Sequence, residues 1–275
     1  MSEADDRIRD LADAWVGDLL SRHAAQFTRP ELLKAIRALS ARYVEQRASL
    51  SRRSALDSAG KRAAFAAFYA PLHALTVRAV AVALDVRAAG VGQVIDLGCG
   101  TGAASIGWAL ATGERPRIVG VDRDQWATQE ASWNWRRLGL SGRVDRGDLV
   151  HALGATIADA GRRRPRTNPR DGATAVILGW SLNELDPPTR KRAFDLVLRA
   201  PTTGIATLVV EPIARTATPW WRDWAARVVH AGGRDDLWKF APDLPRRLAD
   251  LDEAAGFRRE HLGARTLWLP AARDV

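Results

Sequence analysis

Residues 94–102, Val-Ile-Asp-Leu-Gly-Cys-Gly-Thr-Gly, constrain the fold of this chain more than any other stretch. The apolar run that leads into Gly98 predicts a buried strand, and residues 103–110 after the last glycine predict a helix. Three glycines at alternate positions let the backbone turn sharply and let a ligand approach closely, because no Cβ intervenes. A strand, a glycine turn and a helix in this order are typical of the nucleotide-binding corner of a doubly wound α/β fold.

The residues around the glycines narrow the choice of ligand. The stretch lacks the Lys-Ser/Thr ending of a P-loop, which argues against a triphosphate. Gly98, Gly100 and Ala103 fit the G-x-G-x-x-A fingerprint of a dinucleotide site, so an NAD-type oxidoreductase stays open as one function. Asp96 argues against it, because a carboxylate at the strand end would repel a pyrophosphate. The same carboxylate suits a ligand that carries an ammonium or sulfonium group.

Residues 96–102 also resemble the first motif of class I S-adenosylmethionine-dependent methyltransferases. Asp122 ends the next predicted strand, where a carboxylate can accept hydrogen bonds from both ribose hydroxyls. The resemblance implies S-adenosyl-L-methionine as the cofactor and methyl transfer as the activity. It also implies that Asp148, after the third strand, meets the adenine amino group. The predicted cofactor-binding residues are Asp96, Gly98, Cys99, Gly100, Thr101, Gly102, Asp122, Arg123, Asp148, Leu149 and Trp180.

A fourth predicted strand, residues 173–180, delivers residues 181–185 to the carboxyl edge of the sheet. Class I methyltransferases place substrate-facing residues here, so the resemblance implies catalytic roles for Asn183 and Glu184. Glu184 would act as a base only if the nucleophile must lose a proton. Residues 186–188, Asp-Pro-Pro, are similar to part of the Asn-Pro-Pro-aromatic motif of amino-nitrogen methyltransferases, but the aromatic residue is missing. A helix N-cap followed by proline explains them better.

The alternation of strands and helices after residue 90 predicts an α/β fold. We expect a Rossmann-like class I methyltransferase sheet of six to seven mostly parallel strands with an antiparallel edge. Before it, apolar residues recur at helical spacing, and residues 28–31 form a capping box, so an all-helical N-terminal extension is predicted. Pro71 should kink or split the third helical segment. The predicted domains are a helical extension or lid at 1–90 and a methyltransferase domain at 91–275.

Tryptophan positions lead to further expectations about packing. Trp126 and Trp133 are seven residues apart on a predicted helix, so they should share the face that packs on the sheet while Trp135 points elsewhere. Residues 219–224, Pro-Trp-Trp-Arg-Asp-Trp, suit either stacked bases or a helix core, and both interpretations stay open. Residues 238–240 are expected in a loop.

The composition bears on partners and location. The net charge is +9, but all except four of the 41 basic residues are arginine, so a nucleic-acid surface and a compositional bias explain it equally well. Residues 161–172 form a basic segment that could track a phosphate backbone, although a solvated insertion is favoured. The N-terminus lacks the regions of a signal peptide, and no run of eighteen apolar residues occurs. We therefore expect a cytoplasmic protein without a membrane partner; the oligomeric state is not indicated.

A second, looser resemblance extends over most of residues 38–230. Five short patterns of this chain occur in the same order as in the methyltransferase-like family associated with the small subunit of bacterial and mitochondrial ribosomes, and the arrangement is similar. These patterns are residues 38–43, 68–71, 96–102, 182–185 and 210–212. That family carries a cysteine cluster thought to hold iron and sulfur. Cys99 is the one cysteine of this chain, so no disulfide within the chain and no such cluster can form, and no metal is predicted.

Three functions follow from these observations. The first is a catalytic S-adenosylmethionine-dependent methyltransferase whose acceptor is RNA, in a ribosome-related role, or a small molecule. The second is a non-catalytic, methyltransferase-like protein that associates with RNA or a ribosomal subunit. The third is the NAD-type oxidoreductase that Asp96 disfavours.

Overall fold

The computed structural model describes residues 3–45, 56–162 and 172–272. The chain divides into two compact units, one formed by Met1–Leu75 with Lys239–Leu262 and the other by Thr76–Trp238 with Gly263–Val275. The division predicted at residue 90 differs from this one, because a late segment of the chain groups with the N-terminal helices. Residues 163–171, which form most of the predicted basic segment, lie outside the described part of the chain.

The first unit is helical. Its helices are α1 (Glu3–His23), α2 (Arg29–Glu45), α3 (Ala59–Ala64) and, from the late segment, α10 (Arg246–Ala254). The buried side chains of α1 recur at helical spacing and are Ala12, Trp15, Val16 and Leu19. The predicted capping box is present, since the backbone N–H and the hydroxyl of Thr28 both donate to Glu31 Oε2 at 2.8 Å. The described residues of the N-terminal region therefore form helices, as its apolar pattern predicted.

A π-helical turn, Phe65–Tyr69, joins α3 to α4 (Ala70–Ala83). Pro71 is the second residue of α4 and has no N–H to donate, so the irregular turn lies on its N-terminal side, where a proline distorts a helix. The combined helix, Ala59–Ala83, is long and apolar enough by length and composition to cross a membrane, although the sequence holds no unbroken apolar run of that length. Of its most apolar window, 78% is buried inside the protein, which is typical of a core helix.

The second unit is built on a seven-stranded sheet. The strands are β1 (Val91–Leu97), β2 (Arg117–Asp122), β3 (Gly142–Arg146), β4 (Ala173–Gly179), β5 (Ile205–Glu211), β6 (Arg234–Phe240) and β7 (Leu262–Leu269). Their order is β3-β2-β1-β4-β5-β7-β6, parallel from β3 to β5, with β7 antiparallel to β5. The predicted fold class is confirmed. Residues 238–240 belong to β6, so the expectation of a loop there was wrong; the charged start of this exposed strand conceals its pattern.

Helices connect the parallel strands. They are α5 (Ala103–Thr112), α6 (Gln125–Arg137), α7 (Leu149–Arg162) and α8 (Pro187–Arg199), followed after β5 by α9 (Trp221–His230). The strand order reverses between β1 and β4, which creates the topological switch point of a doubly wound sheet. Ligands of such sheets bind outside the carboxyl ends of the strands at this point.

Trp135 packs on the sheet, contrary to prediction. It is 1% exposed, whereas Trp126 and Trp133 are only half-buried. A Cβ added at Gly102, Gly120 or Gly142 would lie 2.4–2.6 Å from its ring, so three glycines from different elements form the slot that holds it. Helical spacing alone cannot reveal such a slot, because it depends on which strands are neighbours.

The tryptophans of residues 219–224 divide between core and surface. Trp221 and Trp224 are 2% and 8% exposed and belong to the core, and Trp224 stacks on Phe194 with ring centroids 3.8 Å apart. Trp220 is half-buried beside them. The core interpretation therefore holds for the two residues of α9.

Candidate functional site

The glycine turn lies at the switch point and has the backbone that its sequence requires. Gly98, Gly100 and Gly102 have φ angles of 68°, 54° and 80°, in the left-handed region that L side chains rarely adopt. A Cβ at Gly98 would also lie 2.6 Å from the Cβ of Ser181. The turn therefore lies directly against the residues that follow β4. Both the φ angle of Gly98 and its contact with Ser181 exclude a larger residue at position 98.

The N–H groups of the turn are bonded within the protein. Gly98 N and Cys99 N donate to Val121 O at 2.8 and 3.1 Å, and Gly102 N donates to Cys99 O at 2.8 Å. Gly100 N donates to Asp122 Oδ2 at 2.8 Å. A turn that binds phosphate presents such groups to its ligand. In this turn those four N–H groups are already engaged within the protein, while the glycines still let the backbone approach a ligand closely.

Asp96 occupies the N-terminus of α5. It is 1% exposed, and its Oδ2 accepts a hydrogen bond from Ser105 N at 3.0 Å. The N-cap residue, Gly102, has no side chain, so the carboxylate of Asp96 supplies the cap and faces the positive end of the helix dipole. A pyrophosphate would have to share this position with a buried negative charge. The arrangement therefore disfavours the dinucleotide alternative.

Asp122 joins the turn to the start of α6. Its two carboxylate oxygens accept from Gly100 N at 2.8 Å and from Asp124 N at 2.9 Å. The far end of α6 also holds the turn, since Asn134 Nδ2 donates to Thr101 O at 3.0 Å. The structure thus brings the acids that end β1 and β2 to one glycine turn, as the sequence predicted.

Asp148 has a structural partner on each carboxylate oxygen. Oδ1 accepts from His151 N at 2.8 Å and caps α7, while Oδ2 forms an ion pair with Arg123. Leu149 lies at the turn, because its Cδ2 would be 3.4 Å from a Cβ on Gly98. Contact of Arg123, Asp148 and Leu149 with a cofactor stays a prediction, as it does for the buried side chains of Cys99 and Thr101.

Trp180 lies in a strained conformation at the end of β4. Its φ is 53°, which is rare for a bulky residue, and its N–H donates to Val210 O at 2.8 Å. Next to it, Ser181 Oγ is buried without a hydrogen-bond partner among the described residues, and so is Thr101 Oγ1 in the turn. Backbone strain and unsatisfied buried hydroxyls are typical of ligand sites.

Glu211, which ends β5, was not among the predicted site residues. It is fully buried; Oε1 accepts from Leu182 N at 3.1 Å, and Oε2 accepts from Asn183 Nδ2 at 2.5 Å. Burial raises the pKa of Glu211 to about 8, against the lowering effect of hydrogen bonds from the backbone of Leu182 and Asn183. The nearby Glu184 carboxylate adds a smaller rise, and Arg190 opposes it. An acid directly after an apolar strand, at the edge where Asp96 and Asp122 also lie, was the signal that could have identified it.

Arg190, from α8, holds the same segment from the other side. Its Nε donates to Leu182 O at 3.0 Å, and a terminal nitrogen donates to Leu185 O at 2.5 Å. The guanidinium lies 5.4 Å from the centroid of the Trp220 ring, and burial lowers its pKa. Residues 182–185 are therefore held by the carboxyl group of Glu211 on one side and by the guanidinium of Arg190 on the other. The side chain of Glu184 is exposed.

A cleft of about 670 Å³ lies elsewhere in this unit, along β1 and β2 and the amino ends of β4 and β5. Two of its lining residues, Gly161 and Gly172, flank the undescribed residues 163–171, so we assign it no ligand. Among the residues that the structure describes, there is no group of three or more His, Cys, Asp or Glu side chains that could hold a metal ion.

Part of this unit is similar to known methyltransferases. Residues 78–160 match the family model of the methyltransferase small domain, a segment that contains the glycine turn, Asp122 and Asp148. The resemblance of residues 96–102 to the first motif of class I S-adenosylmethionine-dependent methyltransferases is thereby confirmed. The second resemblance, to ribosome-associated proteins, stays a prediction.

Two curated relatives are probable cobalt-precorrin-6B C(15)-methyltransferases (decarboxylating). The protein of Pyrobaculum calidifontis is 39% identical over 75 residues, which are 27% of this chain and 37% of the relative. That of Pyrobaculum aerophilum is 32% identical over 85 residues, 30% of this chain and 43% of the relative. The chain thus matches less than half the length of either. A solved structure, a SAM-dependent methyltransferase from Aquifex aeolicus, has 12% identity and a TM-score of 0.42, and covers 72% of this chain and 92% of that one.

Proposed function

We propose that this protein is an S-adenosylmethionine-dependent methyltransferase. One observation carries the proposal: at the switch point, the N–H groups of the three glycines and of Cys99 are bonded within the protein, and the carboxylate of Asp96 lies at the helix N-terminus. These features suit a cofactor that is cationic and lacks phosphate. The match of residues 78–160 to the methyltransferase small domain supports the same conclusion.

The residues at the turn fit this cofactor. Asp122 lies against Gly100, where its carboxylate would accept hydrogen bonds from the ribose hydroxyls of the cofactor. Asp96 would supply negative charge near the amino group of the cofactor. The buried hydroxyls of Thr101 and Ser181, which have no hydrogen-bond partner among the described residues, would gain one from a polar ligand. When bound, the cofactor supplies an electrophilic methyl group.

The chain's own task is then to orient the acceptor. Residues 182–185 are proposed to face it, with Asn183 and Glu184 as the catalytic residues. Orientation of two reactants can supply up to about 7–11 kcal/mol of the barrier, and a base is needed only if the acceptor must lose a proton. The acceptor is proposed to be RNA or a small molecule. The family match ends at residue 160, before Asn183, so the corrinoid acceptor in the relatives' names is not transferred to this chain.

Calorimetric titration of the purified protein with S-adenosylmethionine, its demethylated product and NAD tests the proposal. We expect micromolar binding of the methyl donor and its product, and none of NAD. Asp96→Asn keeps an oxygen for Ser105 N but removes the charge, so it should weaken binding at least tenfold without loss of fold.

Asp186→Asn is the matched control. Asp186 caps α8 through Thr189 N, as Asp96 caps α5 through Ser105 N, but it lies outside the glycine turn. Asparagine caps helices as well as aspartate does, so cofactor affinity should be unchanged. Tight binding of NAD, or no binding of the methyl donor by folded protein, would contradict the proposed function. A cytoplasmic location without a membrane partner is retained as a further proposal.

A further inference from the structure

Which of Glu211 and Asn183 donates the hydrogen bond between their side chains depends on whether the carboxyl group of Glu211 is protonated. Asn183 Nδ2 donates to Glu211 Oε2 at 2.5 Å, so the carbonyl oxygen, Oδ1, is the end of the amide that points away from Glu211. Oδ1 is buried and has no hydrogen-bond partner among the described residues. The amide therefore presents an acceptor on the side away from Glu211.

The other oxygen of Glu211 already has a backbone donor. Oε1 accepts from Leu182 N at 3.1 Å, and a backbone N–H is always a donor. A carbonyl oxygen is a better acceptor than a hydroxyl oxygen, so a proton gained by the carboxyl group is favoured on Oε2, from which it can donate towards Asn183. The amide must turn to offer Oδ1 to Glu211, and its NH₂ group then points away. One proton thus exchanges an acceptor for a donor on the side of the Asn183 amide that points away from Glu211.

The charged groups around Glu211 leave both forms accessible. Glu184 disfavours ionisation and Arg190 favours it, but the donors of Arg190 go to Leu182 O and Leu185 O. On the neighbouring strand, Arg265 is the register partner of Glu211, and its guanidinium lies 4.7 Å from the centroid of the Trp221 ring. Burial raises the pKa of Glu211 to about 8, so neutral and ionised forms coexist in slightly alkaline solution.

We infer that Glu211 is a positioning residue that decides which end of the Asn183 amide faces the methyl acceptor. Ionised Glu211 leaves the carbonyl oxygen on the side of the amide away from Glu211, and neutral Glu211 leaves the NH₂ group there. The meaning for acceptor binding rests on the proposed function, in which Asn183 contacts the acceptor. The exchange itself is a property of the folded chain without any ligand.

The test is nuclear magnetic resonance on full-length protein labelled with ¹³C and ¹⁵N. The ¹³Cδ resonance of Glu211, assigned in the wild type through its connection to the backbone resonances of the same residue, reports ionisation. On the alkaline side we expect a through-hydrogen-bond correlation from Asn183 Nδ2 to Glu211 Cδ. It should disappear as the pH falls through the Glu211 titration.

Glu211→Gln mimics the neutral form. Its oxygen must accept from Leu182 N, so its NH₂ group faces Asn183. The correlation should then run the other way, from the new amide nitrogen at position 211 to Asn183 Cγ, at every pH. A correlation from Asn183 Nδ2 that persists when Glu211 is neutral would overturn the inference, and so would a Glu211 that stays ionised throughout the titration.

The wild-type titration alone is decisive if the variant does not fold. Neither measurement needs S-adenosylmethionine or methyl transfer, so a failure here leaves the calorimetric result intact. Likewise, a failure to bind the cofactor would leave the exchange at Asn183 standing.

Discussion

Gly120 shows how closely single residues control the support of the site. It lies in the middle of β2, where an added Cβ would be 2.6 Å from the ring of Trp135 and 2.9 Å from Cys99 Sγ. The same ring lies against Gly102, and its Nε1 donates to Ser105 Oγ at 3.2 Å. A side chain at position 120 would therefore displace the group that packs under the glycine turn.

Gly120→Ala should destabilise the protein by about 1–3 kcal/mol, the usual cost of overpacking a core. Gly154→Ala is the matched control: this glycine lies in α7, its nearest contact would be 3.8 Å away, and alanine should stabilise the helix by up to about 1 kcal/mol. The free energy of unfolding in urea, followed by far-ultraviolet circular dichroism, gives both values. Equal effects of the two substitutions would contradict the packing described for Trp135.

At the scale of elements, helix α6 links Asp122 to the glycine turn and to the core side chain of Trp135 beneath it. The helix begins after Asp124, whose side chain accepts from Ala127 N at 3.0 Å and whose N–H donates to Asp122. Its last turns carry Asn134 and Trp135, which bond to the glycine turn and to Ser105. A single helix therefore fixes both the carboxylate of Asp122 and the backbone that it faces.

Asp124→Ala removes the N-cap of α6 and should cost about 1 kcal/mol of stability. Asp124→Asn keeps a capping oxygen and should cost almost nothing. Thermal unfolding of the two variants beside the wild type measures the difference as a lower Tm for the alanine variant alone. If asparagine lowers the Tm as much as alanine does, the charge of Asp124 matters rather than its hydrogen bond.

At the scale of the whole molecule, the net charge of +9 bears on the proposed RNA acceptor. Contacts between arginines and phosphates release counterions, so the logarithm of RNA affinity should fall linearly with the logarithm of salt concentration. Fluorescence anisotropy of a labelled single-stranded RNA, titrated at several salt concentrations, measures this slope.

The same titration separates the proposed functions. RNA binding that weakens with salt, together with methyl transfer to that RNA, is expected for a catalytic protein with an RNA acceptor. RNA binding without transfer is expected for the non-catalytic alternative. Absence of RNA binding at low salt would remove RNA as a partner and leave a small molecule as the acceptor.

Local sequence determined the strand, glycine turn and helix on which the candidate site is built. The strand, the glycine turn and the helix of residues 94–110 were predictable because each depends on the backbone preferences of neighbouring residues. The acids Asp96 and Asp122 were predictable as neighbours because the carboxyl ends of adjacent parallel strands meet at one edge. The apolar periodicity of α1 and the capping box of α2 likewise determined the helical N-terminal region.

Tertiary structure alone decided which distant groups complete these elements. The slot for Trp135 is formed by glycines of three elements, and Glu211 meets Asn183 across 28 positions of the chain. In the helical unit, Arg9 of α1 pairs with Asp243 at 3.2 Å, so residues 239–262 contact a helix formed more than two hundred residues earlier. Such contacts depend on the order of strands and the packing of helices, which the pattern of neighbouring residues does not encode.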